Sequence, residues 1–452
     1  MSETAATETT TAERRLYELW AEIRDLEAAQ FTLEWDQETY LPEAGQPARG
    51  EALSTLAGLR HRLLTAPELS DVLAACAEAA GPGSVLAAQV RAARRDVDRA
   101  VKVPESLAKA LAQAESDGLA AWRRAREADD HRRFNPALER LVALRREEAR
   151  AVSSAGPAYD VHLDRFEPGA TEAKLAPLFE QVRIDLAALV SKYIGETEHG
   201  RRREIDESPA QGHFPEPRQQ AFGRAMAAAV GFSFEAGRLD LSAHPFCIGI
   251  GRRDVRLTWR YEEGDFRPAL FGILHETGHG LYEQGLPEAY ERRPLGRDAG
   301  TGAHESQSRL WENHVGRSRG FWRWALPRFR EAFPDHPATD LDRLWPTLHV
   351  VRPSHIRVEA DEVTYGLHIV ARFELERALF AGRLEVADLR DAWNDLYREL
   401  LGFRPDRDRD GLLQDIHWAM GLFGYFPTYT LGSMAAAQLF EAAERDLGDL
   451  DG

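Results

Sequence analysis

Long stretches rich in Ala, Leu, Glu and Arg, interrupted only by short Pro or Gly clusters, fill most of this chain, and this punctuation limits its fold more than any other feature. Such residues lose little rotamer freedom in a helix, whereas strands draw on β-branched and aromatic side chains. The pattern predicts helices over Ala12–Gln30, Gln46–Leu64, Ser84–Val101, Pro104–Ser153 with breaks, Thr171–Ile194 and Arg218–Val230, and therefore a mainly α fold. Charge runs such as Arg145–Arg150 read as solvated helix faces. No internal repeat and no long linker enforces a boundary, so residues 1–452 are expected to form a single domain. The Thr-rich first ten residues and the acidic end after Leu447 are expected to be disordered.

One region departs from helix. His244-Pro-Phe-Cys247-Ile-Gly-Ile-Gly251 is followed by Asp254-Val-Arg256-Leu-Thr258-Trp-Arg260-Tyr261, where Val255, Leu257 and Trp259 alternate with polar residues. A period of two with one apolar face predicts a hairpin. It is either a structural cover for the core or an exposed sheet edge able to pair with an extended peptide. Cys247 reads as a small apolar filler.

Immediately downstream lies Phe271-Gly-Ile-Leu-His275-Glu276-Thr-Gly-His279. Asp265 can cap a helix over Phe266–Leu286 that Gly285 and Pro287 close. Histidines four apart stand one turn apart on the same face, so both imidazoles can reach one cation, while Glu276 on the flank can act as a base on water. Gly272, Gly278 and Gly280 weaken such a helix, which implies close approach to its backbone. Catalytic zinc uses three protein ligands and keeps one position open. A second helical segment, Gly302-Ala-His304-Glu305-Ser-Gln-Ser-Arg-Leu-Trp-Glu312-Asn-His314, offers the third, and spacing does not choose among His304, Glu305, Glu312 and His314.

Composition removes other classes. A formal charge of −17 disfavours nucleic acid and anionic membrane surfaces as partners. Cys76 and Cys247 alone make neither a disulfide framework nor a cysteine zinc site, and a reducing compartment fits them. The amino-terminal residues carry no basic start or apolar core, and no apolar run approaches membrane-spanning length. A cytoplasmic protein is expected.

Beyond these motifs the chain resembles the carboxypeptidase Taq family of metallocarboxypeptidases, peptidase family M32. The resemblance rests on His244-Pro-Phe246, Asp254-x-Arg256-x-Thr258, His275-Glu-x-x-His279, His304-Glu305-Ser-Gln, Ile356-Arg357-x-x-Ala360-Asp361 and Gly411-x-x-Gln414-Asp415-x-His417-Trp418. It continues through Gly421-Leu-Phe-Gly-Tyr425-Phe-Pro-Thr-Tyr429-Thr-Leu-Gly432 and includes Trp35-Asp36-Gln37-Glu-Thr-Tyr-Leu-Pro42 near the start. It implies a helical protein with a long groove between its amino- and carboxy-terminal halves, similar to that of neurolysin and angiotensin-converting enzyme. It implies removal of C-terminal residues from peptides with broad specificity, poorly where proline is involved, by a homodimer. It also implies that Glu305 is the third ligand, that zinc is the metal and that cobalt can substitute. The donor set alone excludes neither cobalt nor manganese.

Under that resemblance, Glu276 takes a proton from water and delivers it to the leaving amine. The developing oxyanion needs a further donor, for which Tyr425, Tyr429, His244 and His417 are candidates, a tyrosine being favoured. Arg357 is the expected anchor for the substrate's free carboxylate, held by Asp361 one turn away, with an internal Arg357–Asp361 pair as the alternative and Arg256 as the next candidate. Gln414, Asp415 and Trp418 are expected to support the site or line the groove. The rival functions are a metallo-oligopeptidase cutting inside short peptides and a non-catalytic helical binding protein. A structural zinc site is disfavoured by the absence of a cysteine-rich ligand set.

Overall fold

The computed structural model describes residues 10–194, 205–242, 244–336 and 340–450, and among them helices predominate, with one small sheet. The expectation of disorder over the first ten residues concerns positions 1–9, which lie outside the described residues. Thr10 is itself structured, accepting from Glu13 N–H at 3.1 Å as the cap of the first helix. At the other end the final helix stops at Leu447, where Gly448 takes a φ of 91°, and residues 451–452 lie outside the described set.

The chain divides into two compact units. The described residues of the first fall within Met1–Lys102, Gly223–Tyr261 and Gly272–Asp298. Its helices are Thr11–Thr39, Gln46–Leu64, Pro67–Ala79 and Val85–Lys102. The first runs nine residues beyond the predicted end at Gln30, and Pro67–Ala79 was not predicted. Leu16, Trp20 and Ile23 pack with Leu69, Leu73, Cys76, Val90, Ala93 and Val97 into one core. Beside it Glu27 is buried yet ionised. Burial opposes its charge, but Arg60, Arg24 and Arg297 surround the carboxylate and hold its pKa below the usual value.

The sheet belongs to the same unit. The predicted hairpin forms as β2 (Cys247–Gly251) and β3 (Asp254–Trp259), antiparallel with Cys247 opposite Leu257. A strand the pattern did not announce, β1 (Gly237–Leu241), pairs with β3 in parallel, Gly237 opposite Val255. The order β1-β3-β2 puts β3 in the centre, so any edge that could receive a peptide belongs to β1 or β2. Val255 and Leu257 are fully buried as the alternation requires, and they pack with Ala227, Phe232, Leu239 and Ile273. Thr258, on the polar face of the pattern, is buried too, because its hydroxyl is engaged by Ser242 Oγ and the Phe246 N–H.

The second unit's described residues fall within Val103–Phe222, Glu262–Phe271 and Ala299–Gly452. The predicted break in Pro104–Ser153 lies between helices Glu105–Ala128 and Asn135–Val152, where Asp129 takes a left-handed φ of 53°. Ala158–Phe166, Glu172–Ile194, Tyr365–Phe380, Leu389–Leu401 and Pro427–Leu447 complete the frame of a core containing Leu138, Phe179, Leu367, Phe373, Trp393, Tyr397 and Trp418. A second, aromatic cluster joins Phe214, Phe266, Trp322, Phe329 and Phe333. No helix among the described residues is long and apolar enough to cross a membrane.

Candidate active site

The His-Glu-x-x-His segment sits within the helix Arg267–Gly285, whose start is held by Asp265 Oδ1 accepting from Arg267 N–H at 2.9 Å. The close approach implied by its glycines comes from the sheet and its flank. A Cβ at Gly272 would stand 1.7 Å from the Trp259 indole of β3, and one at Gly280 would stand 2.6 Å from Phe232. The helix therefore lies directly on these aromatic side chains, which fixes the rotation of its histidine face. His275 and His279 present their rings at 4.9 Å between centroids, while Glu276 is 6% exposed.

Glu305 stands in the helix Thr301–Arg309, which passes without interruption into a π-helical turn, Leu310–Val315. Its ligand atom and those of His275 and His279 all lie within 4.8 Å of one another. Two imidazoles and one carboxylate at that spacing are a donor set suited to a divalent transition metal with a position left for water. Two of the other candidates of the segment have partners of their own. Glu312 pairs with Arg309 at 3.2 Å, and His314 stacks on Phe440.

Residues with no role assigned from the sequence seat Glu305. The carboxylate of Glu167 accepts from Gly302 N–H at 3.0 Å and so caps the start of the helix. A Cβ at Gly432 would stand 2.6 Å from both Cβ and Cγ of Glu305, so the final helix can pack against this side chain only with glycine there. Ser308 and Arg309 hydrogen-bond to its two oxygens. Arg309 could have been found from its four-residue spacing to Glu305. Glu167, 135 residues before its partner, could not.

His417, Tyr425 and Tyr429 come together as a cluster. Tyr429 Oη lies 3.1 Å from His417 Nε2, and the two phenol rings meet edge to face at 5.4 Å. Burial, and then the negative charge of Glu305, push the Tyr425 phenol well up, and burial does the same to Tyr429, so both are protonated donors at neutral pH. Burial lowers the His417 pKa to about 3, leaving a neutral imidazole. His244 is exposed in the approach to β2.

Arg357 corrects one expectation. Its partner is Asp415, not Asp361: Nε and Nη2 donate to Asp415 Oδ1 at 3.0 and 2.9 Å. A one-turn pairing needs continuous helix, but Arg357–Glu359 is a lone 3₁₀ turn. Asp361 instead accepts from Val363 and Thr364 N–H, at the start of Tyr365–Phe380, and from Arg352 N–H. Asp415 Oδ2 takes Arg372, so one carboxylate serves two guanidiniums, which hold it well below the usual carboxylate range although burial opposes ionisation. Gln414 Oε1 accepts from the Arg357 N–H at 2.8 Å, a supporting role for both residues of the Gln-Asp pair. Tyr365 Oη accepts from Arg357 Nη1 at 3.0 Å, which leaves a donor on each terminal nitrogen. Arg256 has partners of its own: it is doubly bonded to Asp254 and lies 4.3 Å over Trp35.

Cys247 behaves as a filler, its thiol pushed well up by burial and then by Glu276. A second group of potential ligands, Asp130, His131 and Asp408, is already committed. Asp408 takes His131 and Arg390, and Asp130 takes Arg132.

The helical fold and this histidine–carboxylate centre define a metallopeptidase. Residues 15–452 match the carboxypeptidase Taq (M32) metallopeptidase family, and the chain belongs to it. It is 45% identical over 429 residues to thermostable carboxypeptidase 1 of Thermus thermophilus, covering 92% of this chain and 83% of that protein. Carboxypeptidase 1 of Bacillus subtilis is 36% identical over 445 residues, covering 98% of this chain and 87% of that one. Among solved structures, the M32 carboxypeptidase of Deinococcus radiodurans superposes with a TM-score of 0.92 at 37% identity, covering 98% and 88% of the two chains. The protein is accordingly a metallocarboxypeptidase, a hydrolase that requires a divalent metal and acts on peptides.

Proposed function

We propose that the protein is a zinc carboxypeptidase of broad specificity, disfavouring proline, that binds its metal through His275, His279 and Glu305 and accepts cobalt in place of zinc. The observation that carries this reading is the approach of those three ligand atoms to within 4.8 Å. When bound, such a cation acidifies water and polarises the scissile carbonyl. Glu276 accepts the proton released as water adds to the carbonyl carbon, then passes it to the departing amine as the C–N bond breaks. A phenol from Tyr425 or Tyr429, both protonated, donates to the developing oxyanion, and neutral His417 orients Tyr429. His244, being exposed, is the weaker oxyanion candidate.

Arg357, fixed by Asp415 and Tyr365, receives the peptide's free carboxylate on its remaining donors. Asp361 supports this segment by ordering its backbone, and Arg256 is the next candidate for the carboxylate anchor. We further propose that residues 1–452 work as one peptidase domain, as a homodimer in the cytoplasm. Family resemblance supports the dimer, and two unpaired cysteines suit a reducing compartment.

Digestion of paired unblocked and C-terminally amidated peptides, followed by mass spectrometry, tests the reading. Stepwise C-terminal loss from unblocked peptides only, abolished by chelator and restored by zinc or cobalt, is the expected result. Internal cuts in both sets would replace it with an oligopeptidase.

A further inference from the structure

Both oxygens of Glu305 are engaged from within its own helix. Arg309 Nε donates to Oε1 at 2.9 Å and Ser308 Oγ donates to Oε2 at 3.0 Å. Arg309 is itself immobilised. Its side chain is 13% exposed, Nη1 donates to Glu312 at 3.2 Å, and the guanidinium lies 4.2 Å over the ring of Tyr365. Tyr365 in turn is 7% exposed and tied through its hydroxyl to Arg357.

A positive charge beside a cation site repels the cation, so charge balance alone gives Arg309 no value to metal binding. Geometry does. A glutamate side chain has three soft torsions, and a carboxylate fixed by outer hydrogen bonds meets a metal already oriented. Nε, unlike the terminal nitrogens, lies at the rigid root of the guanidinium plane. With that plane held by the Tyr365 ring and Glu312, the direction of the Nε–H bond is set.

We propose that Arg309 is a positioning residue that fixes the carboxylate of Glu305 for the divalent cation. The inference rests on the reading of Glu305 as a ligand. It gives a role to a largely buried arginine outside the His-Glu-x-x-His segment.

The test measures zinc and cobalt affinity of metal-free protein by competition with a chromophoric chelator, with the cobalt absorption spectrum as a second readout. Wild type is compared with Glu305→Ala, Arg309→Met and Arg309→Lys. Arg309→Met is expected to bind about 10- to 100-fold more weakly, the usual effect of removing an outer-shell partner. Arg309→Lys keeps charge without the planar fork and is expected to fall between. The cobalt bands should shift in both, a change that loss of stability alone does not produce.

If Glu305→Ala binds metal as wild type does, the ligand reading fails and the inference with it. If Glu305→Ala loses metal while Arg309→Met stays within about threefold of wild type, the ligand reading stands and the positioning role is overturned. Should Arg309→Met not fold, Arg309→Lys decides by the same threshold, a larger loss supporting the role and a smaller one removing it.

Discussion

Trp259 occupies the space that a side chain at Gly272 would need: its Cζ2 lies 1.7 Å from where a Cβ would stand. The central strand and the histidine helix are thus in register through one indole. Gly272→Ala forces the two apart, and overpacking of this kind costs about 1–3 kcal/mol, with larger values at rigid contacts. We expect a lower urea midpoint together with weaker zinc binding, because the histidine face must turn. A variant with unchanged midpoint would show that Trp259 does not set the position of the helix.

Glu276→Gln keeps the size of the side chain and removes its basicity. Metal content should stay at the wild-type level while kcat falls by about 10²–10⁴-fold. Metal analysis alongside steady-state kinetics checks this, and an active variant would assign the base elsewhere. His279→Ala should instead lose metal and turnover together.

Removing Arg357 should divide two kinds of substrate. With Arg357→Ala, kcat/KM for unblocked peptides should drop at least about a hundredfold, the scale of a lost buried charge contact, and far less for slow turnover of amidated ones. Equal losses on both would take Arg357 out of the anchor role. Asp415→Asn strands two guanidiniums around a neutral amide and should destabilise the fold by about 3–5 kcal/mol in urea titration.

The core also sets a pH dependence. Glu376, fully buried, accepts from Tyr159, Trp418 Nε1 and Gly424 N–H, yet burial outweighs these bonds and raises its pKa from 4.5 to about 7. The native state therefore keeps a proton that the unfolded chain has released, and this residue's contribution to stability is full below pH 4.5 and lost as pH rises to about 7. Glu376→Gln should flatten that decline. Buried His162, lowered to about 3, acts in the opposite sense, its contribution being lost as pH falls from 6.5. Urea midpoints at pH 5 and pH 8 for wild type and Glu376→Gln make the comparison, and parallel pH profiles would remove Glu376 as the source.

What the sequence disclosed follows the range of the interaction. Gln46–Leu64 and the β2–β3 hairpin depend on neighbours along the chain, and both were legible from residue spacing. β1 was not, because Gly237–Leu241 is short and pairs in parallel with β3, which in sequence lies beyond the intervening strand β2. Arg357 illustrates the same limit at the candidate site. The motif spacing invites a pairing with Asp361, but the helix that would make those residues neighbours is absent, and the carboxylate that reaches the guanidinium comes from position 415. The grouping of His275, His279 and Glu305 follows a pattern of which helix geometry and family resemblance each carry part, whereas Glu167, which caps the helix of Glu305, acts across a long stretch of sequence.

The sharing of Asp415 by Arg357 and Arg372 leaves an imbalance of electroneutrality: two fixed cations against one fixed anion, all three side chains largely removed from water. Under the proposed anchoring by Arg357, a peptide ending in a free carboxylate would complete that balance on arrival, and a peptide ending in an amide would not. Selection for exopeptidase substrates would in this sense be stored in the charge count of the free protein, before any peptide is bound.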